Sequence, residues 1–346
     1  MVDAAADSGR RVRLKDVAVR VGVTTSTVSK VVNDKRDVGP EVRQRVLQTI
    51  EAMGYRPNSV ARRLRMQRSD MIAIITDDLE GIFTNAMMRG VEDAASTAEM
   101  AVLLCNSYGD PAREKQQLRR LLDHQVDALI FMSGNRVGPR PYPAMAIPNS
   151  TPFVYLYEYG EADIPAILPD DKGGARLAVE HLAGTGAHRI AFVNGPPEWE
   201  ATQDRLQGYM AGLGTAKLPF DDELVVSSPS WKPEDAYAVM RRLLQNVPDI
   251  DSVFSGSDDI ATGVIAALDD CGMSIPRDVQ VVGFDDRSLA VHQRPPLTTI
   301  ALPLTEMGRL AGELVLGAIT SGLITPGIVR LPCRLVQRES TRAFGK

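Results

Sequence analysis

The sequence predicts an α/β protein in two unequal parts, a small helix-turn-helix head and a larger core of doubly wound parallel sheets. Three observations predict it. Residues 13–33, RLKDVAVRVGVTTSTVSKVVN, carry the apolar spacing of two short helices around a tight turn. Residues 1–69 hold fifteen Lys or Arg against seven Asp or Glu, so a net charge of −5 over 346 residues hides a basic head on an acidic body. From residue 70 onward, short apolar runs alternate with longer helical stretches, the pattern of parallel strands joined by crossover helices.

In the first helix Leu14, Val17, Ala18 and Val21 share one face, and Gly22 ends it. Thr24 is placed to cap the second helix, whose inner stripe is Val28, Val31 and Val32. The opposite face carries Thr25, Ser26, Thr27, Ser29, Lys30 and Asn33, side chains that make hydrogen bonds and can approach base edges. A helix-turn-helix offers the start of its second helix to the major groove, so Thr25 and Ser26 are the expected base readers, with Lys30 one turn further on. A polar helix face alone is usually just solvated; its coincidence with the basic charge points to nucleic acid. Gly39, Pro40 and Glu41 open a third helix with Val42, Val46, Leu47, Ile50 and Met53 as its stripe, and Gly54 closes it. Beyond Pro57, Asn58 can cap a segment 59–65 of barely two turns, marginal as an isolated helix. Arg62, Arg63 and Arg65 would let it order against phosphates, although a flexible basic linker reads the same way.

In the core, strands are expected at MIAIIT, AVLLCN, ALIFM, FVYLY, RIAFVN, SVFSG and VQVVGFDD, and helices at 85–97, 111–123, 174–183, 202–213, 234–245 and 260–271. Seven such units suggest two lobes, and ligands of open sheets sit outside the carboxyl ends of the strands. No stretch approaches the roughly 18 apolar residues of a spanning helix, and MVDAAADSGRR lacks the apolar centre of a signal peptide. Cys105, Cys271 and Cys333 are odd in number and far apart, which suggests a reducing compartment, a cytoplasm, with no membrane association. No cofactor or metal site is expected, and without a Gly-x-Ser-x-Gly elbow, a phosphate-cradling Gly loop or His-Glu-x-x-His, neither is an enzyme.

Taken in order, LKDVA, GVTTSTVSKVVN, GYRPNSVAR, DKGGARLAVEHL, HRIAFVNGP, VVGFDD and PPLTTI make the chain resemble the lactose-repressor (LacI/GalR) family of bacterial transcription regulators, from Leu14 almost to the C-terminus. The resemblance implies a head at 1–57, a hinge helix and linker at 58–69, and a periplasmic-binding-protein-like core at 70–346. Lobe one would take about 70–169 and 301–331, lobe two about 170–300 and 332–346, with crossovers near 168–171, 297–301 and 331–333. In the hinge, Asn58, Ala61, Arg62, Leu64 and Arg65 fall at DNA-contacting positions. Leu64 matches the residue that wedges into the minor groove and kinks the operator.

The same resemblance implies an effector in the cleft between the lobes. Arg205, in TQDRLQGY, matches an arginine that reaches effector hydroxyls or a carboxylate. Asp285 matches a carboxylate that accepts hydrogen bonds from a sugar or purine, and Trp231 falls where an aromatic plane packs on the effector ring. Ser257 and Asp258 stand where the family more often has Asn-Asp, and Asp78 and Phe83 follow the first core strand. Tyr157 replaces a common Asp or Asn, so the pocket departs from that of the lactose repressor. For the acids the plainer alternative is helix capping, and for Trp231 it is core filling. A sugar or sugar derivative is the expected effector, because an acid-rich pocket favours neutral or cationic ligands.

The expected function is therefore a transcription regulator, a repressor in sign, that binds an inverted-repeat operator as a homodimer and responds to a small carbohydrate. The dimer follows from the chain ending at Lys346, with no room for a tetramerising heptad helix. A regulator whose DNA binding is promoted by an effector or partner protein stays open, and a sugar-binding protein without a DNA role is the more distant alternative.

Overall fold

The computed structural model describes residues 12–35, 37–55, 68–133, 147–148, 151–159 and 164–343. The chain divides into two compact units, residues 1–68 and 69–346.

The first unit is a three-helix cluster of α1 (Leu14–Val21), α2 (Thr25–Val32) and α3 (Pro40–Ala52). Its core is Val17, Ala18, Val21, Val28, Val31, Val46 and Tyr55, all buried, so the spacing read from the sequence is the spacing that packs. Gly22 ends α1 in the left-handed region at φ 75°, where a side chain would be strained. The Thr24 hydroxyl accepts the Thr27 N–H at 3.1 Å and caps α2. Leu47 departs from the expected stripe and is 49% exposed. A helix face this narrow admits Val42, Val46, Ile50 and Met53, and Leu47 lies about 100° round the helix from Val46.

The second unit begins with β1 (Met71–Thr76), α4 (Thr84–Thr97), β2 (Ala101–Asn106), α5 (Pro111–Asp123), β3 (Ala128–Met132), β4 (Phe153–Leu156) and β5 (Ala166–Pro169). It continues through α6 (Asp171–Gly184), β6 (Ile190–Asn194), α7 (Glu200–Ala216), β7 (Val225–Ser227), α8 (Pro233–Asn246), β8 (Ser252–Ser255), α9 (Asp258–Asp270), β9 (Gln280–Asp285), α10 (Ser288–His292) and β10 (Thr298–Ala301). It closes with α11 (Leu304–Ser321), β11 (Ile328–Leu331) and β12 (Arg334–Val336).

These strands form two six-stranded sheets, β11-β5-β4-β3-β1-β2 and β12-β10-β9-β8-β6-β7. Both sheets reverse order after their first strand, β1 in one and β6 in the other, so each has a switch point at the carboxyl ends of its strands. All pairings are parallel except β10 with β12. The two sheets are the two lobes, and the chain passes between them after β5, after β10 and between β11 and β12. The middle passage thus falls at 302–303, a few residues later than 297–301, because Thr298–Ala301 still pair with β9 inside lobe two. Short edge strands such as β7 and β11 were not legible from the sequence, since three or four residues cannot display a period.

Helices cover the sheets by close approach. At Gly90 of α4 a Cβ would sit 2.0 Å from the Thr305 carbonyl oxygen, and at Gly308 of α11 it would sit 2.0 Å from that of Met87. Two glycines therefore let these helices touch backbone to backbone and fix the face of lobe one.

Candidate functional site

Two sets of residues carry chemistry, one in each unit. On α2 and its caps, Thr24, Thr25, Ser26, Lys30 and Asn33 are exposed and Thr27 and Ser29 are half-buried. Several are already engaged: Thr27 with the Thr24 hydroxyl at 2.9 Å, Asn33 with the Ser29 carbonyl at 2.6 Å, and Lys30 with Asp37 at 2.6 Å. The Lys30 amine holds the exposed Asp37 carboxyl below its usual range. Thr25 and Ser26, at the helix start, keep their hydroxyls at the surface. Asn58, Ala61, Arg62, Leu64 and Arg65 lie outside the described residues.

The second set surrounds a cavity between the lobes with about 110 Å³ open to water. Lobe one supplies Ile82, Phe83 and Tyr157; lobe two supplies Trp199, Arg205, Trp231, Ser257, Asp259 and Asp285. All come from segments at the carboxyl ends of strands or the helix starts that follow them, the placement expected of open α/β sheets. The Phe83 and Tyr157 rings meet at 5.4 Å, and Trp199 meets Trp231 edge-to-face at 6.0 Å, so each lobe presents an aromatic pair. The Trp231 ring lies on Gly195, where a Cβ would come within 2.2 Å of it. Glycine at that position is what makes room for the wall.

At the polar end Arg205 is 3% exposed and firmly held. Its Nε donates to Asp171 Oδ1 at 2.8 Å, its Nη2 lies 2.7 Å from the same oxygen, and its Nη1 donates to the Gly256 carbonyl at 2.5 Å. Its plane stacks on Phe284 at 4.0 Å. Asp285 Oδ1 is 3.7 Å from Arg205 Nη2, beyond hydrogen-bond reach, and this buried oxygen has no hydrogen-bond partner among the described residues. Burial pushes the Asp285 carboxyl well above the usual carboxylate range, with Arg205 opposing and Asp258 and Asp171 reinforcing. Asp285 and Tyr157 both have positive φ, 106° and 56°, an uncommon conformation for residues other than glycine that clusters at functional sites.

Two expected residues stand elsewhere. The Asp258 carboxylate turns inward, accepting the Thr299 hydroxyl at 2.6 Å and the Arg287 N–H at 2.7 Å, and burial raises it to about 7. It joins α9 to β10 and to the start of α10, while its neighbour Asp259, ion-paired with Arg287, lines the cavity. The Asp78 side chain accepts the Glu80 N–H at 2.9 Å and shapes the turn that brings up Ile82 and Phe83. Ser257 does both jobs, capping α9 through the Ile260 N–H at 3.1 Å while facing the cavity. Sequence reading missed Ile82, Trp199 and Asp259; the first of the chain's two tryptophans, three residues before the helix predicted at 202–213, was the available signal.

Beside the cavity a polar bridge joins the lobes. Arg330 of β11 pairs with Asp204 of α7 at 3.1 Å, and the Tyr159 hydroxyl lies 3.3 Å from Asp204 and 3.4 Å from Asp171.

A helix-turn-helix head followed by a two-lobed core with a cleft defines a class, the bacterial transcription regulators, and the comparisons narrow it. The family profile described as bacterial regulatory proteins, lacI family, matches residues 13–58, and a periplasmic binding protein-like domain matches residues 179–341. Catabolite control protein A of Priestia megaterium is 33% identical, covering 96% of this chain and 99% of its own. The ribose operon repressor of Halalkalibacterium halodurans is also 33% identical, covering 95% and 97%. Among solved structures, a complex of the transcriptional regulator CelR with cellobiose superposes with a TM-score of 0.68 at 31% identity, covering 95% of this chain and 100% of that one. The lac repressor dimer bound to operator and the anti-inducer ONPF gives 0.80 at 25%, covering 96% and 100%. The chain belongs to the lacI family of bacterial regulatory proteins, and it is a transcription regulator, not an enzyme.

Proposed function

We propose that this regulator represses transcription by binding an inverted-repeat operator as a homodimer, and that a sugar or sugar derivative bound between the core lobes switches it. The observation that carries the reading is the cleft itself: aromatic walls from both lobes line it together with Asp285, whose buried Oδ1 lacks a hydrogen-bond partner among the described residues. An unsatisfied buried acceptor is costly, and a ligand hydroxyl or amine would relieve it. A ligand touching Phe83 and Tyr157 on one side and Trp199 and Trp231 on the other would favour one lobe angle. The CelR–cellobiose relative and the ribose operon repressor support a carbohydrate, and the operator-bound lac repressor dimer supports the DNA partner and the two-fold assembly. The operator lies on the nucleoid, which places the working protein in the bacterial cytoplasm.

In the head, Thr25 and Ser26 read bases, with Lys30 one turn further along, while the hinge arginines Arg62 and Arg65 serve phosphates; Leu64 wedges the minor groove, with Asn58 and Ala61 on the hinge contact face. Thr25→Ala or Ser26→Ala should relax sequence preference at particular operator positions, each lost contact costing on the order of 1–3 kcal/mol, as read by binding to a set of single-base operator variants. Uniform weakening on every sequence would remove them as readers. In the core, Asp285→Ala should abolish the effector response in an operator-binding assay while leaving ligand-free operator affinity intact. Retention of the full response by Asp285→Ala would move the effector site elsewhere.

A further inference from the structure

Lys30 is the only Lys or Arg in α2, and it stands four residues after Ser26, so the two share a face of the helix. That charge is already paired. The Lys30 ammonium lies 2.6 Å from Asp37 Oδ2, with side chains 45% and 57% exposed. Asp37 lies between α2 and α3, flanked by anchored residues: Arg43 of α3 pairs with Asp34 at 2.7 Å and donates to the Lys35 carbonyl, and Val38 packs against the core of the head. An exposed ion pair of this kind adds little to stability. What it changes is the charge that α2 offers to DNA.

A free lysine on such a face is drawn to the nearest phosphate, since the backbone takes the larger share of protein–DNA hydrogen bonds. With Asp37 beside it the pair carries no net charge, so the pull on the ammonium is offset and the carboxylate is repelled by the phosphates that border the groove. Neutral groups on base edges become the better partners. The ammonium has three donors and Asp37 takes one, which leaves two for the O6 and N7 acceptors of a guanine. The carboxylate keeps lone pairs that can accept from the amino group of the paired cytosine. In the major groove it is a G·C pair that sets two adjacent acceptors beside an amino donor.

Resting on the reading of α2 as the helix that enters the major groove, we propose that Lys30 and Asp37 act together to read one G·C pair in each half-site. Asp37 is the residue that turns Lys30 from a phosphate contact into a base contact. It is thereby a specificity determinant that lies outside the reading helix itself.

The full-length protein is used to select duplexes from a pool randomised across two helical turns, and binding is then measured on single-base variants of the selected sequence at several salt concentrations. The wild type is expected to prefer G·C by about tenfold or more at one position of each half-site. Asp37→Asn should lower that preference to about twofold or less and leave the positions read through Thr25 and Ser26 unchanged. It should also steepen the fall of log affinity with log salt by about 0.9 per head, as the released Lys30 takes up a phosphate. Lys30→Ala should lose the same preference without a steeper salt dependence, whereas Lys30→Arg should keep it, since a guanidinium also grips guanine O6 and N7. Retention of every wild-type preference by Asp37→Asn overturns the proposal, and so does a loss spread evenly over all positions, which would make the pair a support of the head's fold. Should Thr25→Ala and Ser26→Ala shift preferences while Asp37→Asn shifts none, α2 remains the reader and the paired contact alone fails. If none of the three variants shifts any preference, both readings fail.

Discussion

At the scale of single residues, adjacent acids at a helix start have separate tasks. Asp258 is the buried one, tied to Thr299 and to the Arg287 backbone, while Asp259 faces the cleft. Sequence alone cannot assign such neighbours, since about 100° of helix rotation separates them and only packing sets the phase. The difference has a consequence for pH. An Asp in an unfolded chain titrates near 4, whereas burial raises Asp258 to about 7 in the folded core. Between those values the folded state holds a proton that the unfolded chain has released, so this contribution to stability is full below about pH 4 and lost as pH rises through about 7. The core is therefore expected to melt at a higher temperature near about pH 5 than near about pH 8, by at most a few kcal/mol in stability. Asp285, shifted in the same direction, adds to the slope. Asp258→Asn should flatten it in calorimetry, and an unchanged slope would assign the titration to other groups.

At the scale of elements, the lobes are tied by side chains from strands and helices distant in sequence. Arg330 on β11 and Tyr159 beyond β4 meet Asp204 and Asp171 on the far lobe, and Asp171 in turn holds Arg205. The bridge thus runs from the passage between β11 and β12 directly to the floor of the cleft. Because Arg330 and Asp204 are partly exposed, at 38% and 20%, their pairing contributes only about 1 kcal/mol or less to stability. Its larger effect is on lobe motion. Arg330→Ala should leave the thermal midpoint nearly unchanged yet speed hydrogen exchange in residues 168–171 and 331–334, where the chain passes between lobes. Exchange no faster than wild type in those segments would show that the bridge does not restrain the lobes.

At the scale of the whole molecule, a reading helix of eight residues, Thr25–Val32, covers only a few base pairs, so two-fold pairing of chains is the economical route to a specific site. Light scattering at micromolar concentration is expected to give the mass of a dimer, and a tetramer would contradict that assembly. Effector and operator must then be linked reciprocally. Whatever factor the effector imposes on operator affinity, typically about 5–150-fold in such systems, the operator must impose on effector affinity. Paired titrations of effector into free protein and into the operator complex check this, and unequal factors would mean that a third component takes part.

The sequence by itself determined the helix-turn-helix, the alternation of strands and helices, and the family. Those depend on local spacing, on caps such as Thr24, and on motifs read in order. The resemblance to the family also brought Arg205, Asp285, Trp231 and Phe83 forward as cleft residues, through motifs matched position by position. Tertiary structure decided the rest. That Arg205 is neutralised by Asp171, that Asp259 and not Asp258 faces the cleft, that Trp199 and Ile82 complete its walls, and that Gly195 makes room for Trp231 are facts of long-range packing. Each depends on the phase of a helix or the meeting of segments tens of residues apart, which no local pattern encodes.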